Sequence, residues 1–373
     1  MEAGQRLTQQ FSDNSPDTTE DFLEILERSV KNPYDNVYWF ARMFVNADRY
    51  AGIGKNSMLM LQIADAITRT LPKDDDPEDI SISKMAIFNL LRGTKKDSSK
   101  DYSKIVDLCA DLDRMMQRKA DLMALALTLR HIIVPTTKMI AEVPSSDAQF
   151  AQSIVEAYLK VKGERGVQDV VNMWDDLGVK GCLAAERAQI VTGLDILRRT
   201  IERLSLSRED EDYIISSFVQ EFERRVGQKR KGRAGRSLED VTGFILNYFG
   251  ITNAKLAPEH LRTSLEIDKL VPCKGGWFIG IACKRTFRER WKQQVTTDTN
   301  LLKKYKVRQL WHVLTYDRDL SEKKIEEIGL LNGIIYLPDE SSVFKDASTN
   351  PKLSEYVRPL SHFVADLKAE TLK

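Results

Sequence analysis

Two residues of this chain have the types and placement that phosphodiester chemistry needs. Asp268 lies in the apolar run 265–271, and Lys284 ends the next apolar run, 276–283. An aspartate on one strand and a lysine closing its antiparallel neighbour would face each other across one sheet edge. A carboxylate there can hold a divalent cation that polarises a phosphate and lowers the pKa of an attacking water, while an ammonium can sit beside a nonbridging oxygen. Just beyond Lys284 comes Arg288-Glu289-Arg290 on a cationic, amphipathic stretch. Arginine can donate a fork to guanine O6 and N7, and glutamate can accept from cytosine N4, so the triplet can reach base edges. Each feature has a plainer reading. Asp268 can be a strand-end carboxylate paired with Lys269 or Lys284, and the triplet can be a solvated helix face with an internal ion pair.

The elements that must position these residues read as a small mixed sheet. Residues 265–271 alternate as a strand, Cys273-Lys274-Gly275-Gly276 makes a short turn, and residues 276–283 return as a second strand. Residues 286–304 then read as a helix, 307–314 as a strand, 320–328 as a helix, 333–337 as a strand and 360–367 as a closing helix. Ahead of the hairpin, Ser237 is placed to cap a helix over 237–248, with Gly250 as its stop. Helices flanking a small mixed sheet follow from that order.

The first part of the chain reads differently. Residues 1–19 are polar and unpatterned, as in a disordered tail. Residues 20–222 carry helical spacing throughout, with Val37, Trp39, Phe40, Met43 and Phe44 forming one buried stripe and Pro135 closing the segment 101–134. No strand is expected before residue 260. Aromatic and methionine stripes of this kind are core far more often than a cofactor box. DNA binding and dimerisation are the candidate roles for this helical domain. Between the two parts, residues 224–236 are dense in Lys and Arg and contain Gly227, Gly232 and Gly235. The run suits either a solvated linker or a segment whose Lys231, Arg233 and Arg236 contact phosphates.

Composition limits the alternatives. At 373 residues two domains are expected. A net charge of +1 excludes a generic polyanion binder, so any nucleic-acid contact must be local. Four cysteines without a CxxC spacing and four scattered histidines argue against a zinc site and for free thiols in a reducing cytoplasm. No apolar run is long enough to span a membrane, and no secretory signal opens the chain.

Taken together, Arg233-Ala234-Gly235-Arg236-Ser237-Leu238-Glu239, Ile267-Asp268-Lys269-Leu270-Val271-Pro272 and Ala282-Cys283-Lys284 with Arg288-Glu289-Arg290 resemble the catalytic domain of EcoRII-type restriction endonucleases. That family belongs to the PD-(D/E)XK nucleases. The resemblance spans residues 223–367, and the helical part does not share it. It implies an α/β restriction-endonuclease-like domain over 223–373, which follows the all-α region read from helical spacing. It implies Mg²⁺ as cofactor, Asp268 as metal ligand, Lys284 as catalytic lysine and Glu239 as an assisting acid. Arg288, Glu289 and Arg290, with Lys292 beside them, would read adjacent G:C pairs.

Two departures from the family pattern concern the metal. Ala282 stands where many such nucleases carry an acid, and Thr297 stands where the EcoRII-like pattern places the second carboxylate. Either Asp298, one residue on, or Glu266, two residues before Asp268 and so on the same strand face, completes the site, or the site has lost a ligand. The activity implied is that of a type II enzyme cutting double-stranded DNA to 5′-phosphate ends in the cytoplasm of a bacterium or archaeon. A homodimer on a palindromic site and a companion methyltransferase go with it. The competing readings are a non-catalytic DNA-binding protein on a degraded nuclease fold and an interaction protein built on the helical region.

Overall fold

The computed structural model describes residues 33–284 and 299–371. Arg288, Glu289, Arg290, Lys292, Thr297 and Asp298, together with the polar tail, lie outside them. The helices, in order, are α1 (Asn36–Val45), α2 (Ala47–Tyr50), α3 (Ser57–Thr70), α4 (Pro77–Arg92), α5 (Tyr102–Met115), α6 (Lys119–Leu127), α7 (Val134–Glu142), α8 (Ala148–Lys162), α9 (Val167–Ile201) and α10 (Arg208–Tyr248). A sheet follows, built from β1 (Lys255–Leu256), β2 (Lys269–Cys273), β3 (Trp277–Lys284), β4 (Val307–Leu314), β5 (Gly333–Leu337) and β6 (Val357–Pro359). Among these strands run α11 (Glu259–Ser264), α12 (Thr299–Lys304), α13 (Glu322–Leu330) and α14 (Ser342–Thr349), and α15 (Phe363–Glu370) closes the chain. No described helix is long and apolar enough to cross a membrane.

The expected helical region and mixed sheet are both present, and among the described residues the sheet has six strands in sequence order. β1, β2 and β3 are antiparallel, and β3 to β6 are parallel. The hairpin register pairs Lys269 with Ile281 and Cys273 with Trp277.

The chain forms two compact units. One comprises Met1–Val143 with Glu186–Gly227, and the other Pro144–Ala185 with Gln228–Lys373. Residues 144–185, read from sequence as part of the helical domain, therefore cluster with the sheet. The first unit is packed around Phe40, Phe44, Ile63, Ile87, Leu112, Phe218 and Phe222. Trp39 does not join that core. Its side chain is 57% exposed, because a residue two positions from Val37 and Ala41 points away from their face. In the second unit Leu238, Val241 and Ile245 of α10 pack on Val271, Ile279, Ile281, Trp311 and Tyr336. The opposite sheet face carries Ile267, Leu270 and Leu310, which pack on Leu261 of α11.

Three local expectations are corrected. Pro135 does not end a helix. A π-helical turn over Thr128–Ile133 leads directly into α7, whose first turn holds Pro135. The basic run 224–236 is no linker, and Ser237 is no cap: both lie inside the unbroken α10. A strand does occur before residue 260, the two-residue β1, too short and too exposed to show alternation.

Candidate active site

The site grows from the hairpin. Asp268 precedes β2, and its backbone is pinned on both sides. Its N–H donates to the Ile281 carbonyl at 2.8 Å, and its own carbonyl accepts from Ala257 N–H at 3.0 Å. Its carboxylate turns back on β3, where Oδ2 accepts from the Cys283 N–H at 2.6 Å. Only 8% of the residue is exposed. Burial lifts its pKa to about 6. The Cys283 N–H and the Lys284 charge oppose the rise, and the Glu239 and Glu266 charges add to it.

Lys284 ends β3, and its Nζ lies 2.8 Å from Glu266 Oε2. The sequence reading put Glu266 on a strand face two residues before Asp268. In the structure it lies outside β2, just past α11, with φ at +51°. Helix ends commonly place a residue in this left-handed region, and glycine is the usual occupant. A glutamate there carries strain of about 1 kcal/mol or more. Leu265 N–H and Ile267 N–H both bond back to the Leu261 carbonyl, which fixes the bend around Glu266.

Glu239 arrives from α10. Its charge acts on both Asp268 and Cys283. Thr242 and Gly243, three and four residues on, share its helix face. The Cys283 thiol donates to Thr242 Oγ1 at 3.2 Å, and Thr242 donates to the Leu238 carbonyl at 2.7 Å. A side-chain bond thus ties α10 to β3 one turn from Glu239. Gly243 serves a close approach: a Cβ there would stand 3.3 Å from Lys269 Cε and Nζ. On the other face, a Cβ at Gly280 would meet Leu310 at 2.8 Å and Ile267 at 3.3 Å, so the glycine leaves room for the residue preceding Asp268.

The sequence reading missed Thr242, Gly243 and Cys283. A glycine and a threonine one turn after Glu239 were the available signal, but only the pairing of α10 with the hairpin gives them meaning. His312, scored only as one of four scattered histidines, lies on β4 opposite Ala282 and is buried. Burial, helped by the Lys284 charge, lowers its pKa to about 3, so it is neutral at physiological pH.

The basic run separates into two classes. Lys231 and Arg236 are exposed on α10. Arg233, read as a phosphate contact, is instead buried: its Nε pairs with Asp147 Oδ1 at 3.2 Å, and Nη1 donates to the Pro144 carbonyl at 3.3 Å. A guanidinium enclosed in this way holds the fold together and has no face for DNA.

Carboxylate oxygens are the donors at the hairpin, which suits a hard cation such as Mg²⁺. Among the described residues, no group of three or more His, Cys, Asp or Glu side chains is arranged to hold a metal ion. A hydrated ion taking one or two carboxylates and retaining most of its waters fits Asp268 and Glu266 better than a closed protein cage would.

No protein-family model and no curated protein matches this chain. Among solved structures, the chain is similar to one described as metal-depleted Ecl18kI in complex with uncleaved DNA. The TM-score is 0.41 at 14% identity, over 63% of this chain and 84% of that one, a likeness too slight to carry a functional inference.

Proposed function

We propose that this protein is a Mg²⁺-dependent, sequence-specific endonuclease acting on double-stranded DNA. The observation that carries the reading is the meeting, at one hairpin edge, of the buried Asp268, the Lys284 ammonium and the charges of Glu266 and Glu239. Asp268 and Glu266 would hold the cation, with Asp298 as a further candidate outside the described residues. When bound, the ion supplies Lewis-acid polarisation of the phosphate and a more acidic water. Lys284 neutralises charge on the nonbridging oxygens as the scissile phosphate becomes pentacovalent. Thr242 and Cys283 keep Glu239 and Asp268 in register by locking α10 to β3. Arg288, Glu289 and Arg290 supply base readout, with Lys292, Lys231 and Arg236 on phosphates. The same reading includes a homodimer on a palindrome containing adjacent G:C pairs, 5′-phosphate products and a companion methyltransferase.

Digestion of unmethylated plasmid and phage DNA by the purified chain, with Mg²⁺ and with EDTA, tests the proposal. Discrete Mg²⁺-dependent fragments are expected. Lys284→Ala should slow cleavage at least about 100-fold, the scale of a lost charge-stabilising donor. The Lys284–Glu266 ion pair, and the lack of a three-acid cluster among the described residues, favour a second reading, a DNA-binding protein that does not cut. Salt-sensitive DNA binding without cleavage by the wild type would select it.

A further inference from the structure

We propose that the helical first unit carries a separate binding site for a single strand of nucleic acid. The site is a groove of about 950 Å³ lined by residues of α1, α2, α5 and the turn leading into α6. It shares no residue with the hairpin site, and it does not depend on the endonuclease reading.

Four guanidinium groups line the groove: Arg42, Arg49, Arg114 and Arg118. Three carboxylates line it as well, and each is engaged: Asp35 is half-buried and accepts from the Tyr213 hydroxyl. Asp111 is buried and accepts hydrogen bonds from Tyr50 Oη, from Arg114 and, at 3.2 Å, from Arg49. Asp121, also buried, accepts from the backbone N–H groups of Gln117 and Arg118 at 3.0 and 2.8 Å and pairs with Arg118 Nη2 at 3.3 Å. Asp111 and Asp121 hold Arg49, Arg114 and Arg118 in place, and the groove keeps four guanidiniums against three carboxylates. The arginine side chains remain exposed, at 64% for Arg49, 75% for Arg114 and 46% for Arg118. Each guanidinium has five N–H donors, so most stay available for phosphate oxygens.

Trp39 supplies the other half of the chemistry. It lines the same groove and exposes more than half of its surface. The ring is supported from behind: Tyr38 packs edge-on at 5.4 Å, and Arg42 both bonds Tyr38 Oη at 2.9 Å and lies 5.7 Å over the Tyr38 ring. A braced, exposed indole beside preorganised arginines suits an unstacked base with phosphates on either side. A duplex hides its base faces, so the stacking element specifies a single strand. Four guanidiniums carried by separate elements of one groove suit more than one phosphate.

The test is fluorescence anisotropy with the full-length protein in EDTA, using a labelled mixed-sequence DNA strand of about twelve nucleotides. Trp39→Ala should weaken binding at least about fivefold, the lower end of what one base stack contributes. Arg114→Ala leaves Asp111 its Tyr50 and Arg49 partners, and it should reduce the slope of log K against log salt by about 0.7. Both side chains are largely exposed, and thermal melts should show the variants folded. Wild-type affinity and salt slope in the Trp39 and Arg114 variants would overturn the proposal, as would a mononucleotide that competes as tightly as the strand.

Discussion

Asp268 is costly to fold around, and that cost can be measured. Its folded-state pKa, about 6, lies above the ordinary carboxylate value. Between those two values the folded chain binds a proton that the unfolded chain releases, so this residue's contribution to stability falls as pH rises through that window. Above the window the ionised carboxylate costs the fold about 1–3 kcal/mol. Asp268→Asn keeps an acceptor for the Cys283 N–H and removes the charge. Urea denaturation should therefore show the variant more stable by that amount at about pH 8 and equal to wild type below about pH 4, while DNA cleavage disappears. Equal midpoints at the higher pH would sink the idea that burial and like charges are stored at this position. His312 has the opposite sign. Its depressed pKa means that stability is lost as pH falls from the ordinary histidine value towards about 3, which partly masks the Asp268 effect in wild-type profiles. Glu266 adds a backbone component. Glu266→Gly and Glu266→Gln both remove the partner of Lys284, but only glycine relieves the left-handed strain. The glycine variant should be the more stable of the two by about 1 kcal/mol in the same assay.

At the scale of elements, the sequence made β3, β4 and β5 legible because each is a short, strongly apolar run with clear turn signals. The Asp268–Lys284 juxtaposition was legible too, since a hairpin puts both residues at one edge. The course of α10 was not. Three glycines among arginines look like a break, yet Gly227 and Gly235 sit on helix faces with open space around them, where glycine only weakens a helix held by its packed neighbours. The role of Arg233 was hidden for a related reason: its partner Asp147 lies far away in sequence, and no local pattern announces a buried pair. The same holds for Glu266, whose alternation with Asp268 suggested a strand until the end of α11 turned it left-handed. Arg233→Ala leaves Asp147 buried without its counter-charge and should destabilise the chain by about 3–5 kcal/mol in urea unfolding. A phosphate contact at that position would instead leave stability unchanged and weaken only DNA binding.

For the molecule as a whole, a net charge of +1 sets the terms of any DNA complex. A strongly basic protein gathers phosphates over much of its surface and has a steep salt dependence. This chain has no such excess, so any duplex affinity must come from a small set of placed cations. Each neutralised phosphate contributes about −0.9 to the slope of log K against log salt on duplex DNA. Lys231 and Arg236 are exposed on α10, the helix that brings Glu239 to Asp268, so their removal tests whether that helix contacts the duplex. The double variant Lys231→Ala, Arg236→Ala should reduce the slope by about 1.8, with binding weakened evenly across DNA sequences. Arg290→Ala should instead lower discrimination between sequences by about 1–3 kcal/mol and change the slope little. Titrations over a range of salt, with a cleaved sequence and with a random duplex, separate the two outcomes. An unchanged slope in the double variant would move the phosphate contacts off α10, and an unchanged sequence preference in Arg290→Ala would move base readout away from the triplet that follows Lys284.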